Sequence, residues 1–252
     1  MARNDRVSVA ICNRNYGKLL PGALDSAAAE KPSIIALCDD GSTDDSVDVV
    51  MKGLESPRQE IVSGIPCVSG TWNGTPLILA AAEIGRGLAP ARNVALKISW
   101  DKADFFAILD ADDRFLPGRL DKCLSMLNKY GEIAGAVYTD YYHVRGEDEV
   151  LSHHCKTSFD KKRLFFENIV HSACVVRKTA LDEVGCYSED MDASEDYELW
   201  MKIASKRIIL HIPEVTMLVK EGPWQFSRNT SSQKWVKYNK IARDRHCKNL
   251  LS

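Results

Sequence analysis

The sequence of 252 residues has no apolar run long enough to form a membrane-spanning helix. Its polar first residues lead into a short apolar segment, Val7 to Cys12, which is too short for the core of a secretory signal peptide. It also lacks internal repeats and low-complexity tracts. With 45% hydrophobic and 27% charged residues, the composition is that of an ordinary globular protein, for which we expect a cytoplasmic location.

Paired cysteine motifs are absent, although eight cysteines are present. No two of them have the CxxC spacing of structural zinc sites, and several lie in apolar segments, which is typical of buried thiols in a reducing compartment. Disulfides and structural zinc are therefore not expected. His153, His154 and Cys155 are adjacent and do not have the usual spacing of metal ligands, so we interpret them as part of an exposed polar loop.

The formal net charge is only −2, but the charge is unevenly distributed. The segment from Lys220 to Ser252 contains eight basic and two acidic residues. We therefore divide the chain into residues 1–219 and a basic helical extension, residues 220–252. A solvated helical face is the simplest interpretation of the extension, and an anionic membrane or a nucleic acid is the alternative partner.

Short apolar segments alternate with segments of helical composition along residues 1–219, which predicts an α/β fold with a central, mostly parallel sheet flanked by helices. A hairpin or loop insertion is expected within residues 60–79, and residues 144–159 are expected to form a loop or an edge hairpin. The predicted strands are Val7 to Cys12, Ile34 to Cys38, Phe105 to Leu109, Ala134 to Thr139, Val170 to Arg177 and Ile208 to Ile212. The predicted helices begin near Lys18, Asp45, Ala91, Pro117, Lys178 and Glu195.

Acidic residues stand at the ends of several predicted elements: Asp39 and Asp40, the run Asp110 to Asp113, and Glu195 with Asp196. Ligands of open parallel sheets bind beyond the carboxyl ends of the strands, so the first two groups are expected to meet in one crevice. Carboxylates held together repel one another unless a proton or a cation is shared, and Mg²⁺ or Mn²⁺ beside a substrate diphosphate is a suitable cation. The alternative is ordinary turn chemistry, in which Asp is common.

A calcium-binding loop is the competing interpretation of the run at Asp110. It fails because Arg114 would occupy the fifth position of such a loop, Phe115 the sixth position, where glycine is required, and Asp121 the twelfth in place of Glu.

The motifs taken together resemble glycosyltransferase family 2, a family of inverting enzymes with a GT-A, Rossmann-like nucleotide-binding fold. The resemblance covers residues 7–213. The segments that carry it are, in chain order, Val7-Ser8-Val9-Ala10-Ile11, Cys38-Asp39-Asp40-Gly41-Ser42-Thr43-Asp44, Gly87-Leu88-Ala89-Pro90-Ala91-Arg92-Asn93, Leu109-Asp110-Ala111-Asp112-Asp113, Val184-Gly185-Cys186-Tyr187 and Ser194-Glu195-Asp196-Tyr197-Glu198-Leu199-Trp200.

The resemblance implies a role for each of these groups in a metal-dependent transfer from a nucleotide-diphosphate sugar, with UDP-sugars favoured. It implies that Asp112 binds Mn²⁺ or Mg²⁺ and that Asp196 is the general base. Residues implied in donor binding are Asn13, Asn15, Asp39, Asp40, Arg92, Asp110 and Ala111. Residues implied in support of the site are Glu195, Asp113, Lys220 and Trp224.

The sequence departs from the family pattern in two places. The first strand ends in Cys12-Asn13-Arg14-Asn15 in place of the common Pro-x-Tyr-Asn, so a stacking side chain over the base is missing and Arg14 is the candidate replacement. Residues 219–224 contain no histidine of the kind that closes over the donor in such enzymes. His171 and His211 are interpreted as packed or capping residues.

Two other functions remain open at this point. A sugar nucleotidyltransferase also uses carboxylates and Mg²⁺, but it normally needs a glycine-rich phosphate loop, and residues 13–20 contain one glycine. A nucleotide-sugar-binding protein without turnover would share the same fold. The acceptor is equally open among a glycan, a lipid-linked glycan, a protein and a modified nucleic-acid base, because acceptor contacts lie on variable loops.

Overall fold

The computed structural model describes residues 5–146, 148–223 and 225–251. Among these residues a mixed sheet of eleven strands forms the centre of the fold. The strands are β1 (Val7–Asn13), β2 (Ile34–Asp39), β3 (Glu55–Val62), β4 (Ile65–Trp72), β5 (Thr75–Ala81), β6 (Phe105–Asp110), β7 (Arg114–Phe115), β8 (Ala134–Arg145), β9 (Glu149–His154), β10 (Val175–Arg177) and β11 (Ile208–Lys220).

The strand order is β3-β4-β5-β2-β1-β6-β10-β8-β11-β7, with β9 paired to β8. Strands β5, β2, β1 and β6 run parallel to one another, as do β8 and β11. The short strand β10 is antiparallel to both of its neighbours, β6 and β8, and so joins the two parallel groups. The mostly parallel, mixed sheet expected from the sequence is therefore confirmed.

Nine helices accompany the sheet in the described part of the chain, together with two short 3-10 helices, Trp100–Lys102 and Gly131–Ile133. The α-helices are α1 (Leu20–Ala29), α2 (Ser46–Gly53), α3 (Leu88–Ile98), α4 (Arg119–Tyr130), α5 (Lys161–Phe166), α6 (Lys178–Val184), α7 (Glu195–Lys206), α8 (Phe226–Asn229) and α9 (Ser232–Leu251).

The helices cover the sheet on both faces because successive side chains of a strand point in opposite directions. On β1, Val9 packs into a cluster with α1 and α4, whereas its neighbour Ala10 packs into a second cluster with α3, α7 and α9. The central strands are buried on both faces, which explains why they are almost wholly apolar in the sequence.

Two segments differ from the sequence-based expectation, and a third confirms one of its two alternatives. The insertion after α2 forms the antiparallel strands β3 to β5, and it begins earlier than expected, at Glu55. The expected strand from Val170 to Arg177 is wrong in its first half, because only Val175–Arg177 pairs with the sheet. The polar segment 144–159 contains the edge strand β9, which forms a hairpin with an extended β8, so the edge-hairpin alternative is confirmed.

The basic C-terminal segment is helical, as the sequence predicts, and α9 packs against α5 and α7. Tyr238, Ala242 and Leu250 of α9 are buried in the second cluster. The Oγ atom of Ser194 donates to Oδ1 of Asn239 at 2.7 Å, which ties α9 to the start of α7. The boundary at residue 219 thus marks a change in composition and not a gap in packing.

No helix among residues 5–146, 148–223 and 225–251 is both long enough and apolar enough to span a lipid bilayer.

A fully buried arginine, Arg119, joins three elements beneath the sheet edge. Its Nη1 atom donates to Oγ1 of Thr139 at 2.7 Å and to Oγ1 of Thr216 at 2.5 Å, and its Nη2 atom donates to the carbonyl oxygen of Ala173. Its guanidinium carbon lies 4.9 Å from the ring centroid of Phe115. Loss of this side chain would leave buried acceptors without donors.

We predict that Arg119→Met lowers the free energy of unfolding by about 2–4 kcal/mol, because unpaired buried acceptors each cost about 1–3 kcal/mol. Urea denaturation monitored by circular dichroism measures this loss. The matched control is Arg58→Met at an exposed position on β3, which should change the free energy of unfolding by less than about 0.5 kcal/mol. Equal effects of the two substitutions would contradict the structural role of Arg119.

Candidate functional site

The carboxyl ends of three parallel strands lie side by side. In the register of the sheet, Asn13 pairs with Asp39, and Cys12 pairs with Asp110. The acidic groups at the ends of β2 and β6 therefore flank the end of β1, as the sequence predicts for an open parallel sheet. A cavity of about 850 Å³ opens at this edge.

Asp39 stabilises the loop after β2. Its Oδ1 atom accepts from the backbone N–H of Ser42 at 2.8 Å, and its Oδ2 atom accepts from Nδ2 of Asn13 and from Oγ of Ser42, both at 2.6 Å. The carboxylate is buried and does not line the cavity, whereas Asn13 does. A direct donor contact by Asp39 stays a prediction.

Asp40 and Asn15 hold the neighbouring loops of the cavity. The two oxygens of Asp40 accept from the backbone N–H groups of Arg86 and Gly87, at 2.8 and 2.9 Å. Asn15 has a positive φ of 63°, and its Oδ1 atom accepts from the backbone N–H of Thr43 at 2.7 Å. Asp40 and Asn15 both line the cavity.

Arg92, on the second turn of α3, is the link between two parts of the site. It is only 3% exposed, and its Nη2 atom donates to Oδ1 of Asp110 at 2.8 Å while its Nη1 atom donates to Oε1 of Glu195 at 2.7 Å. Burial by itself lowers the pKa of Arg92, but the two carboxylates raise it overall. Burial opposes the ionised form of Asp110, yet Arg92 keeps the pKa of Asp110 below its ordinary value.

The remainder of the acidic run has a different electrostatic character. Asp113 is 4% exposed, and its Oδ1 atom accepts from the backbone N–H of Lys220 at 3.0 Å. Burial, followed by the charges of Asp112 and Asp110, raises the pKa of Asp113 well above its ordinary value. Ala111 and Asp112 line the cavity between these residues.

This distribution of charge fits a divalent cation. Burial is the largest cause of the raised pKa of Asp113, and the charges of Asp112 and Asp110 add to it; a shared proton or a cation would offset both. Carboxylate oxygens are the donors that Mg²⁺ and Mn²⁺ prefer, and Asp112 is one of the residues that line the cavity. The donor set therefore suits the ion that the sequence analysis expects there.

Glu195 and Asp196 begin α7 and also line the cavity. Acidic side chains in the first turn of a helix stabilise its N-terminus. Glu195 is 4% exposed, and burial raises its pKa to about 7 although Arg92 opposes this shift. Asp196 is half-buried, and its Oδ2 atom accepts from Nδ2 of Asn168 at 3.2 Å. Burial raises the pKa of Asp196 as well.

Lys220 contributes its backbone N–H to Asp113, and its side chain does not line the cavity. Trp224 lies outside the described residues.

Several cavity residues were not identified from the sequence. His171, interpreted there as packed, lines the cavity with its ring 4.6 Å from that of Tyr141, and burial followed by Lys156 lowers its pKa to about 3. Tyr16, Lys156 and Arg228 also line the cavity. Tyr16 could have been identified from the sequence, because it is an aromatic residue two positions beyond Arg14. Nothing in the local sequence distinguishes Lys156.

Comparison with known proteins gives matches in family, sequence and structure. A family model described as glycosyl transferase family 2 matches residues 8–185. The Escherichia coli UDP-Glc:alpha-D-GlcNAc-diphosphoundecaprenol beta-1,3-glucosyltransferase WfaP is 27% identical over 206 residues, which are 80% of this chain and 71% of that protein. The amylovoran biosynthesis glycosyltransferase AmsE of Erwinia amylovora is 26% identical over 203 residues, 77% of this chain and 73% of AmsE.

Two solved structures share the fold. S. aureus TarS 1-349 in complex with UDP-GlcNAc superimposes with a TM-score of 0.68 at 18% identity, over 90% of this chain and 61% of that chain. The mannosyltransferase PcManGT from Pyrobaculum calidifontis, in complex with GDP-Man and Mn²⁺, gives a TM-score of 0.62 at 18% identity, over 98% of this chain and 63% of that chain. This chain thus spans about three fifths of either structure.

The family match extends over more than half of the chain and includes the ends of β1, β2 and β6 that form the cavity. The relatives named above are glycosyltransferases, and the structural neighbours have the same arrangement of sheet and helices. The chain belongs to glycosyltransferase family 2, has the GT-A fold and is a glycosyltransferase.

Proposed function

We propose that this chain transfers a sugar from a nucleoside-diphosphate donor to a hydroxyl group of a saccharide, with inversion at the anomeric carbon. The observation that carries the proposal is the cavity itself. It is lined both by the acidic run that suits a metal-bound diphosphate and by Asp196. Arg92 links Asp110 to Glu195, the residue before Asp196.

The donor half of the reaction is assigned to the ends of β1, β2 and β6. Asn13, Asn15 and Asp40 lie where a nucleoside would enter, and Tyr16 is the aromatic side chain of the same loop. We favour a UDP-sugar because WfaP is named for UDP-Glc and TarS was solved with UDP-GlcNAc. The GDP-Man complex of PcManGT makes a GDP-sugar the alternative.

Asp112 would hold Mn²⁺ or Mg²⁺, with Asp110 and Asp113 beside it. Such an ion, when bound, stabilises the negative charge that develops on the departing diphosphate. The protein contributes by holding these carboxylates in place before the donor arrives. Asp110 is held by Arg92 and by Oγ of Ser172 at 3.0 Å, and Asp113 is held by the backbone N–H of Lys220.

Asp196 would take the proton of the acceptor hydroxyl onto a carboxylate oxygen as that hydroxyl attacks the anomeric carbon. Its raised pKa strengthens it as a base, and Asn168 orients the carboxylate. A single displacement with the base opposite the leaving diphosphate inverts the anomeric centre. Glu195 is less suited to this role because its Oε1 atom already accepts from Arg92.

For the acceptor we propose a lipid-linked saccharide, because the name of WfaP gives a diphosphoundecaprenol-linked sugar as its acceptor. Lys156, which also lines the cavity, is a cationic residue that suits an anionic acceptor, whereas Arg228 in the same lining is paired with Glu221. Such a substrate would place the protein in the cytoplasm at the membrane surface, with the basic C-terminal segment available to anionic lipids.

The first test is donor binding measured by thermal shift with UDP-, GDP-, dTDP- and CDP-sugars, with and without Mn²⁺. A ligand at about 100 times its Kd stabilises by about 2.7 kcal/mol, which raises the Tm of a protein of this size by about 5–10 °C. We expect this shift for at least one donor, with Mn²⁺ required. Asp112→Asn should abolish it, whereas Asp101→Asn, at an exposed residue of a 3-10 helix, should not.

If no donor stabilises folded protein, the proposed function is wrong. Production of pyrophosphate from UTP and a sugar phosphate would instead identify a nucleotidyltransferase. Donor binding without product formation on any saccharide acceptor would identify a binding protein.

The second test separates the two carboxylates at the start of α7. Asp196→Asn should retain donor binding and lower kcat by about 10²–10⁴, the usual contribution of a general base. Glu195→Gln, which keeps the side-chain volume, should reduce kcat less. The reverse ranking, measured as release of the nucleoside diphosphate in the presence of acceptor, would make Glu195 the base.

The third test is the pH dependence of kcat/KM. Burial raises the pKa of Asp196, and the base is active only when ionised, so the rate should fall as pH decreases through that raised pKa. An ordinary aspartate titrates at about pH 3.9, so the acid limb is expected at a higher pH than that. The residual activity of Asp196→Asn should lack this limb. A limb that persists unchanged in Asp196→Asn would assign it to another group.

A further inference from the structure

The hairpin of β8 and β9 gathers three different metal-ligating side chains away from the carboxylates of the acidic run. We propose that Asp140, His153 and Cys155 bind one transition-metal ion, for which Zn²⁺ is the best fit. One ligand atom from each of the three residues lies within 4.8 Å of the other two. The proposal is independent of the donor and acceptor chemistry.

The pairing of the two strands explains how these residues meet. Tyr141 pairs with His154 and Tyr142 with His153, so Cys155 follows the strand at the position opposite Asp140. Side chains two residues apart on a strand share a face, and paired residues of antiparallel strands also share a face. Asp140, His153 and Cys155 therefore lie on one face, whereas His154 points to the other and stacks on Tyr141.

The distances among the ligand atoms suit a tetrahedral ion. The Sγ atom of Cys155 lies 3.5 Å from the ring nitrogens of His153, and Nε2 of His153 lies 3.8 Å from Oδ2 of Asp140. Zinc bonds of about 2.3 Å to sulfur and about 2.0 Å to nitrogen, at a tetrahedral angle, separate the two ligand atoms by about 3.5 Å. The observed sulfur–nitrogen separation matches that value, and the nitrogen–oxygen separation of 3.8 Å exceeds the separation of about 3.4 Å in a tetrahedral zinc site by a few tenths of an ångström.

The carboxylate of Asp140 is oriented by hydrogen bonds to residues outside the proposed ligand set, as metal ligands usually are. Its Oδ1 atom accepts from Nε2 of His211 and from the backbone N–H of Lys156, both at 2.8 Å. These two bonds fix the buried carboxylate and leave Oδ2 facing His153. Outer partners that orient a ligand are a regular feature of metal sites. They also give His211, which the sequence analysis took as a packed residue, a role in support of Asp140.

The ligand types select the class of ion. One thiolate, one imidazole and one carboxylate suit Zn²⁺, whereas Mg²⁺ and Mn²⁺ prefer sets made only of oxygen. The side chain of His153 is 45% exposed and Cys155 is exposed, so a water molecule can complete four-coordination. The sequence alone does not reveal these three ligands as a group, because Asp140 lies thirteen residues before His153.

Metal binding would have a structural consequence at the cavity. It would fasten the end of the edge strand β9 to the central part of β8. The next residue, Lys156, lines the cavity, and its backbone N–H already bonds to the ligand Asp140. The ion would thus stabilise the segment that carries Lys156.

The test uses the full chain without a histidine tag, stripped of metal with EDTA and kept reduced by a phosphine. Titration with Co²⁺, a spectroscopic substitute for Zn²⁺, should give one equivalent with a thiolate-to-cobalt absorption band, which Zn²⁺ should remove by competition. Cys155→Ser and His153→Ala should each weaken binding by more than about 100-fold, exceeding the loss typical of outer-shell changes.

His154→Ala and Cys247→Ser are the matched controls, because they remove a neighbouring imidazole and another accessible thiol outside the ligand set. Both should retain the band, as should Asp112→Asn, which removes the separate carboxylate site. X-ray absorption at the zinc edge of the wild-type protein should show one sulfur ligand. Zinc bound without a sulfur ligand in the wild-type protein, or metal affinity unchanged in Cys155→Ser, would overturn the proposal.

Discussion

The bridge that Arg92 makes between Asp110 and Glu195 is the interaction on which the candidate site depends. A buried guanidinium is costly unless it is paired, and here each of its two terminal nitrogens meets a carboxylate. The same contacts keep Asp110 ionised and hold Glu195 at the start of α7. The positions of the proposed diphosphate site and the proposed base are therefore coupled through one side chain.

The sheet and α7 supply the two carboxylates that this bridge connects. Strands β1, β2 and β6 end together on the donor side, and the antiparallel strand β10 leads from β6 to β8 on the other side. Helix α7 then presents Asp196 to the cavity, and α9 supports its first turn through Asn239 and Ser194. The C-terminal helix, which is basic in sequence, thus contributes to the shape of the site by packing.

The β8–β9 hairpin adds a second concentration of polar groups beside the first. One face of the hairpin carries Tyr141 and His154. The other face carries Asp140, His153 and Cys155. Alternation along the strands separates the two sets although they are adjacent in sequence. The hairpin therefore serves the cavity on one side and offers metal ligands on the other.

The sequence by itself determined the alternation of the main strands and helices, the acidic ends of β2 and β6, and the start of α7. These features depend on local apolar runs and on the rule that parallel strands end at one edge. Only the tertiary structure decided which side chains face the cavity. Asp39 turns into its own loop, whereas Lys156, Tyr141 and His171 enter the lining. The physical reason is that contacts between residues far apart in the sequence shape the site: Arg92 bonds to Glu195, 103 residues away, and local spacing does not reveal this pair.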